Sequence, residues 1–272
     1  MAKFTAKREV ERLVGKLKSK KGILVALSGG VDSSVVAALA KIAVGDKALA
    51  VTTSSLLLPP GEIENAKRIA REIGIRHVIV EANELSNRGF VANPTDRCYY
   101  CKKELIGQLR EIAEREGLET IVEGTNAEDL KSHRPGAKAL EEEAVNSPLA
   151  EAGLNKAQVR EIASYLGLSV AEKPSMACLA SRIPYGDKIT EGKLRRIGRA
   201  EEIVRDLTEV RQLRVRDHGT IARIEVGREE RRRLFDVKLL DRIVKELKYL
   251  GYRYVTMDVE GYRTGSMNEQ NS

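Results

Sequence analysis

Tryptophan is absent from these 272 residues, and only three phenylalanines, four methionines and three cysteines occur. So few aromatic rings leave little with which to stack unpaired bases, and no RNA-binding module is recognisable. The formal net charge of +7 therefore suits an anionic small molecule better than it argues for nucleic acid. An odd number of cysteines argues against a disulfide framework and points to metal or thiol chemistry. The chain lacks an apolar run of the roughly 18 residues a membrane helix needs, and Met1 to Lys21 is a charged amphipathic stretch rather than a signal sequence, so a cytoplasmic protein is expected. Internal repeats and low-complexity linkers are also missing. Abundant lysine, arginine and glutamate with so little methionine and tryptophan fit a thermophilic source.

What is present is an alternation. Strand-like runs near 22–28, 48–54, 77–82 and 119–124 interleave with helical patterns near 5–19, 32–44, 62–73 and 99–117. That order predicts a parallel sheet with right-handed crossovers and helices on both faces, and ligands in such sheets bind beyond the carboxyl ends of the strands. The polar segment 127–146 reads as a loop, followed by a helix near 155–166. After Lys173-Pro174 the pattern changes to a basic helix at 190–208, two alternating strands, a helix at 228–250 and a last strand near 253–259. The fold class is α/β, with a parallel-sheet domain over 1–175 and a smaller α+β domain over 176–272.

At the end of the first strand stands Ser28-Gly29-Gly30-Val31-Asp32-Ser33, leading into a helix. Glycines let the backbone approach an anion, and the first amides of the helix with its dipole favour negative charge, so this turn predicts a pyrophosphate site. Asp32 is placed to hold a Mg²⁺ that bridges phosphates. The GK[ST] ending of a Walker A loop is missing, so a lysine-cradled site is not the template. Thr52 and the Gly124-Thr125-Asn126 turn fall at neighbouring strand ends and are expected to converge on the same nucleotide.

Cys98 and Cys101, spaced three apart at the start of a helix with Arg97, Lys102 and Lys103 around them, share one side and are favoured as thiolates. Cys178 is the third. Three thiolates can hold three irons of a [4Fe–4S] cluster and leave one iron open. A zinc site completed by His77, His133 or His218, or a set of inert thiols, stands beside that reading. Arg214 and Arg216 alternate with Leu213 and Val215, so both emerge on one face of a strand, suited to a phosphate or carboxylate or else to a solvated, ion-paired surface. The run Arg228-Glu229-Glu230-Arg231-Arg232-Arg233 reads as a helix face with i,i+4 pairs.

The Ser28–Ser33 string resembles the PP-loop ATP pyrophosphatases, which split ATP between its α and β phosphates. With Asn93-Pro94-Thr95-Asp96-Arg97-Cys98-Tyr99-Tyr100-Cys101-Lys102, Gly124-Thr125-Asn126, Arg134-Pro135-Gly136, Cys178-Leu179-Ala180-Ser181-Arg182-Ile183-Pro184-Tyr185-Gly186 and Tyr262-Arg263-Thr264-Gly265-Ser266-Met267-Asn268, nearly the whole chain resembles the LarE family. Those enzymes are sulfurtransferases acting on pyridinium-3,5-biscarboxylic acid mononucleotide in nickel-pincer cofactor synthesis. The resemblance implies ATP and Mg²⁺, a substrate carboxylate adenylated and then thiolated, a sulfide donor and a homo-oligomer. Some members sacrifice the sulfur of the cysteine matching Cys178, and others hold a [4Fe–4S] cluster on three. Cys98, Cys101 and Cys178 place this chain with the second type. Ser28, Gly29, Gly30, Val31, Asp32, Ser33, Thr52, Gly124 and Thr125 would bind ATP, Asp32 and Asp129 Mg²⁺, and Arg214 and Arg216 the mononucleotide, while Ser181 and Arg182 would orient it near Cys178. A tRNA-thiolating PP-loop enzyme and a zinc-stabilised ATP sensor are the alternatives.

Overall fold

The computed structural model describes residues 4–131 and 135–263. They divide into two compact units. The chain passes from the first to the second between Ser175 and Met176, but residues 56–60 and 85–95 also belong to the second.

In chain order the elements up to Tyr165 are α1 (Ala6–Leu17), β1 (Ile23–Ala26), α2 (Val31–Val44), β2 (Ala48–Ser54), α3 (Glu62–Ile73), β3 (Arg76–Glu81), α4 (Arg88–Val91), α5 (Arg97–Arg115), β4 (Thr120–Val122), α6 (Ala127–Lys131), α7 (Pro135–Glu142), α8 (Pro148–Glu151) and α9 (Lys156–Tyr165). Of these, α4 lies in the second unit. The four strands of the first unit are parallel, in the order β3-β2-β1-β4. A central parallel strand must be apolar on both faces, and Ile23, Leu24 and Val25 are all fully buried. Ile23 and Val25 enter a core with α1, α2, α3 and α9, while Leu24 faces Leu109, Ile112 and Ala113 of α5. Trimming any of these three to alanine would cost roughly 2–5 kcal/mol for leucine or isoleucine and somewhat less for valine. In α1 the buried Val10, Leu13, Val14 and Leu17 fall at i, i+3, i+4 and i+7, one helical face. The parallel α/β class expected from the alternation is the one observed.

The second unit adds α10 (Glu191–Thr208), β5 (Leu213–His218), β6 (Ile221–Val226), α11 (Val237–Tyr249) and β7 (Tyr254–Met257). Its sheet runs β5-β6-β7, with β5 antiparallel and β7 parallel to β6. Leu213, Val215, Ala222, Ile224 and Val226 pack with Ala200, Val204, Ile243 and Leu247 of α10 and α11.

Two expectations are corrected. Segment 127–146 is not a loop: it holds α6 and α7, and Ala139 and Leu140 of α7 pack with Ile106. His133 and Arg134 lie outside the described residues, as does the part of the carboxyl-terminal motif from Thr264 on. The helix expected over 228–250 is broken. Arg228–Leu234 is a 3₁₀ turn, and α11 starts only after Asp236, whose side chain accepts from the Leu239 N–H at 2.8 Å. An N-cap of this kind ends one element and begins the next. The i,i+4 pairing expected for 228–233 is correspondingly missing among the described residues, and Glu230 instead accepts from the Arg211 and Gln212 amides. No helix among the described residues is long and apolar enough to cross a membrane.

Candidate active site

Beyond β1 the chain turns at Gly29 and enters α2 at Gly30. Gly29 has φ +72°, and a Cβ there would stand 2.7 Å from Asn65 Nδ2 and 3.2 Å from the Ala66 nitrogen, so glycine is required on both counts. Asn65 and Lys173 donate to the Gly29 carbonyl at 2.7 and 3.3 Å. Ser33 Oγ accepts from the Ser28 N–H at 3.2 Å and lies 3.0 Å from Ser28 Oγ, closing the loop. Gly30, the N-cap, has no side chain to cap the helix, so the first amides of α2 are left for a polar partner.

The Gly124–Asn126 turn packs directly on this helix start: a Cβ on Gly124 would lie 2.6 Å from the Ser33 nitrogen. Asn126 Nδ2 donates to Asp32 Oδ1 at 3.2 Å, and the Asn126 N–H donates to Asp129 Oδ2 at 3.2 Å. Asp32 is also ion-paired with Lys156, the first residue of α9, whose Asn155–Gln158 capping box fixes that end. Asp32, Asp129, Ser28, Ser33, Gly124 and Thr125 therefore sit in one neighbourhood. Two carboxylates joined to one asparagine offer the hard oxygen donors Mg²⁺ prefers, with both oxygens of Asp32 engaged by Asn126 and Lys156 in this structure. Thr52 lies deeper: its hydroxyl donates to the Leu27 carbonyl at 2.6 Å and meets His77 Nε2 at 2.8 Å. Burial holds the His77 pKa below its ordinary value, with Lys67 adding to the effect. His77 thus braces the sheet.

Asp96 stands just before α5, which places Cys98 and Cys101 in its first two turns. Cys98 is exposed, Cys101 and Cys178 are partly so, and none of the three is in a disulfide. Cys98 and Cys101 belong to the first unit and Cys178 to the second. Among the described residues no three histidine, cysteine, aspartate or glutamate side chains come together as a metal-holding group.

In the second unit Cys178 begins a 3₁₀ turn, Leu179–Arg182. Arg182 is fully buried. Its Nη1 lies 2.8 Å from the Ala177 carbonyl, 3.0 Å from the Cys178 carbonyl and 2.9 Å from Ser181 Oγ. Glu201 of α10 grips the same guanidinium and accepts the Val215 N–H at 3.1 Å. Arg216 donates to the Ser181 carbonyl at 3.0 Å and to Glu225 at 2.6 Å. Arg214 lies over the Tyr262 ring at 5.1 Å from its centroid. Arg214 and Arg216 do share a face, but they are only 2% and 5% exposed, so the solvated-surface alternative does not describe them. Burial, with Arg182 nearby, pushes the Arg214 pKa below the usual arginine range.

A strand, a Gly29-Gly30 turn and a helix opening with Asp32 and Ser33 define the PP-loop class of nucleotide-binding domains. Residues 5–93 match the NAD synthase family. An uncharacterized protein of Synechocystis is 43% identical over 245 residues, spanning 90% of this chain and 91% of the relative. The pyridinium-3,5-bisthiocarboxylic acid mononucleotide synthase of Lactiplantibacillus plantarum is 36% identical over 259 residues, 94% of this chain and 92% of that enzyme. A subunit of the glutamine-hydrolysing GMP synthase of Methanocaldococcus jannaschii is 32% identical over 222 residues, 75% of this chain and 70% of that polypeptide. This chain belongs to the LarE family, that of the Lactiplantibacillus synthase. Lys156, Glu123 and Glu201 stand in none of the sequence motifs, and only the capping box at Asn155 gives any signal for the first of them.

Proposed function

We propose that this protein is an ATP-dependent sulfurtransferase that adenylates a carboxylate of pyridinium-3,5-biscarboxylic acid mononucleotide and then replaces AMP with sulfur. The cluster of Asp32, Asn126 and Lys156 at the start of α2 carries the reading. A carboxylate oxygen attacks the α-phosphorus, the bond to pyrophosphate breaks, and negative charge develops on the departing oxygens. Lys156 and the open amides of α2 offset that charge, and Asp32 with Asp129 would hold the Mg²⁺ that shares it. AMP is then the leaving group that a bare carboxylate lacks, so sulfur forms a C–S bond at the acyl carbon as the C–O bond to AMP breaks.

Cys98, Cys101 and Cys178 would hold a [4Fe–4S] cluster. When bound, it would supply the sulfide that replaces the carboxylate oxygen. The Arg182–Glu201 pair keeps the Cys178 backbone in place. Arg214 and Arg216 would take the phosphate or a carboxylate of the mononucleotide, since a guanidinium can meet either group with two parallel hydrogen bonds. On this reading ATP is the ligand of residues 1–175 and the mononucleotide that of 176–272.

Anaerobically purified protein incubated with ATP, Mg²⁺ and the dicarboxylate mononucleotide should yield AMP, pyrophosphate and a nucleotide in which sulfur has replaced oxygen, read by mass spectrometry. Pyrophosphate release that ignores the mononucleotide, or a nucleotide unchanged in mass, overturns the proposal.

A further inference from the structure

Glu123, the residue after β4, is 5% exposed and uses all its acceptor capacity. Oε1 accepts the Thr125 N–H at 2.9 Å and the Ser147 hydroxyl at 2.5 Å. Oε2 accepts the Thr125 hydroxyl at 2.8 Å and faces Lys102 Nζ at 3.4 Å. Burial alone would raise the carboxyl pKa, but Lys102, Ser147 and Thr125 together outweigh it and keep the group below the ordinary carboxylate range. Lys102 directly follows Cys101. It packs against α7, where a Cβ on Gly136 would come within 3.2 Å of Lys102 Cγ and 3.6 Å of the Cys98 carbonyl. On the other side Thr125 leads into Asn126, which donates to Asp32. One carboxylate therefore stands between the turn of α5 that bears the cysteines and the loop that touches the PP-loop aspartate.

We infer that Glu123 is a positioning residue that locks the Gly124–Asn126 loop to the Lys102 turn of α5. Its role in turnover rests on the sulfurtransferase reading, but the lock itself does not. A buried carboxylate paired with one lysine pulls that lysine inward, while its second oxygen holds Thr125, so neither segment shifts without disturbing the other. Glutamine at this position separates the two halves. Its carbonyl can still accept from Thr125 and Ser147, but its amide has no charge to hold Lys102.

The test compares Glu123→Gln, Lys102→Gln and the double variant in the full-length protein. Hydrogen exchange of the segments 97–104 and 123–129 should accelerate about tenfold in both segments for either single variant, because each change opens the same contact. In the adenylation assay kcat for pyrophosphate release should fall about tenfold, with the KM for ATP within about threefold and the double variant no slower than the slower single one. Lys102 is partly exposed, so its variant remains informative should Glu123→Gln fold poorly. Exchange confined to 123–129 in Glu123→Gln, unchanged exchange there in Lys102→Gln, or losses that multiply in the double variant would overturn the inference. A parent that releases no pyrophosphate with the mononucleotide defeats the sulfurtransferase reading instead, and the exchange data still decide the lock.

Discussion

Arg182 and Glu201 meet in a two-pronged ion pair, Nε to Oε1 at 2.7 Å and Nη2 to Oε2 at 3.0 Å, with neither side chain exposed to solvent. The free edge of the same guanidinium holds the Cys178 carbonyl. Removing the carboxylate strands a buried positive charge, so Glu201→Ala is predicted to destabilise the protein by roughly 3–5 kcal/mol. Glu201→Gln, which keeps an acceptor, should lose less. Urea denaturation measures both, and an alanine variant with the parent's midpoint would show that the pair contributes no stability.

Asp32 and Lys156 are predicted to act on the same step. Asp32→Ala should abolish pyrophosphate release, and Lys156→Ala should slow it by about two orders of magnitude, the usual loss on removing a group that stabilises developing charge. Lys156→Arg, which keeps the charge, should recover part of the rate. Steady-state rates at saturating ATP provide the check, and a Lys156→Ala variant as fast as the parent would remove the ammonium from the mechanism.

The cysteines separate two sources of sulfur. If all three hold a cluster, Cys98→Ala, Cys101→Ala and Cys178→Ala should each lose iron and sulfur transfer together. A sacrificial cysteine predicts that only Cys178→Ala is inactive and that the protein emerges from one turnover about 34 Da lighter, through loss of H₂S from a thiol. Iron analysis and intact-mass spectrometry distinguish these results, and a fully active Cys98→Ala variant would rule out the cluster.

Both His77 and His218 are depressed below their ordinary pKa, first by burial, then by Lys67 and Arg223 respectively. The unfolded chain therefore takes up protons at these sites before the folded one. Their contribution to stability is complete above about pH 6.5 and is lost as pH falls through the lower folded values. Thr52 gives its only proton to Leu27, so His77 Nε2 must be the donor in that contact. Melting temperature should drop on going from about pH 7.5 to 5.5, and His77→Gln, which can still donate, should flatten part of the drop. An identical slope in that variant would exclude His77 as a source.

Much of the first unit is legible in local sequence because its signals are local: apolar runs for strands, a glycine turn after the first, and the spacing that puts Cys98 and Cys101 on one side of α5. Lys156 is not, because it lies 124 residues from Asp32 and only the placement of α9 beside α2 brings them together. Arg214 and Arg216 show the same limit. Alternation reveals their shared face, whereas their burial and the pairing of Arg216 with Glu225 of β6 come from elements elsewhere in the chain. The break at Phe235-Asp236 is not legible in the sequence because the charged run 228–233 suits an exposed helix face as well as a 3₁₀ turn, and only the Asp236 cap marks where α11 begins.

Asn93 is fully buried with φ +56°, and its side-chain amide donates to the carbonyls of Pro184 and Asp187, at 2.7 and 2.8 Å. Nearby, the backbone N–H of Leu179 donates to Leu57, and that of Ile189 to Val91. Both early segments leave the ribosome well before their partners, 91 residues earlier for Asn93 and Pro184. The contacts that complete the second unit therefore join residues far apart in the chain, and none forms before translation has passed Leu179. A fragment starting at Met176 would lack residues 56–60 and 85–95, and with them the strap that Asn93 supplies to Pro184 and Asp187, so the carboxyl-terminal sequence by itself does not hold all of the second unit.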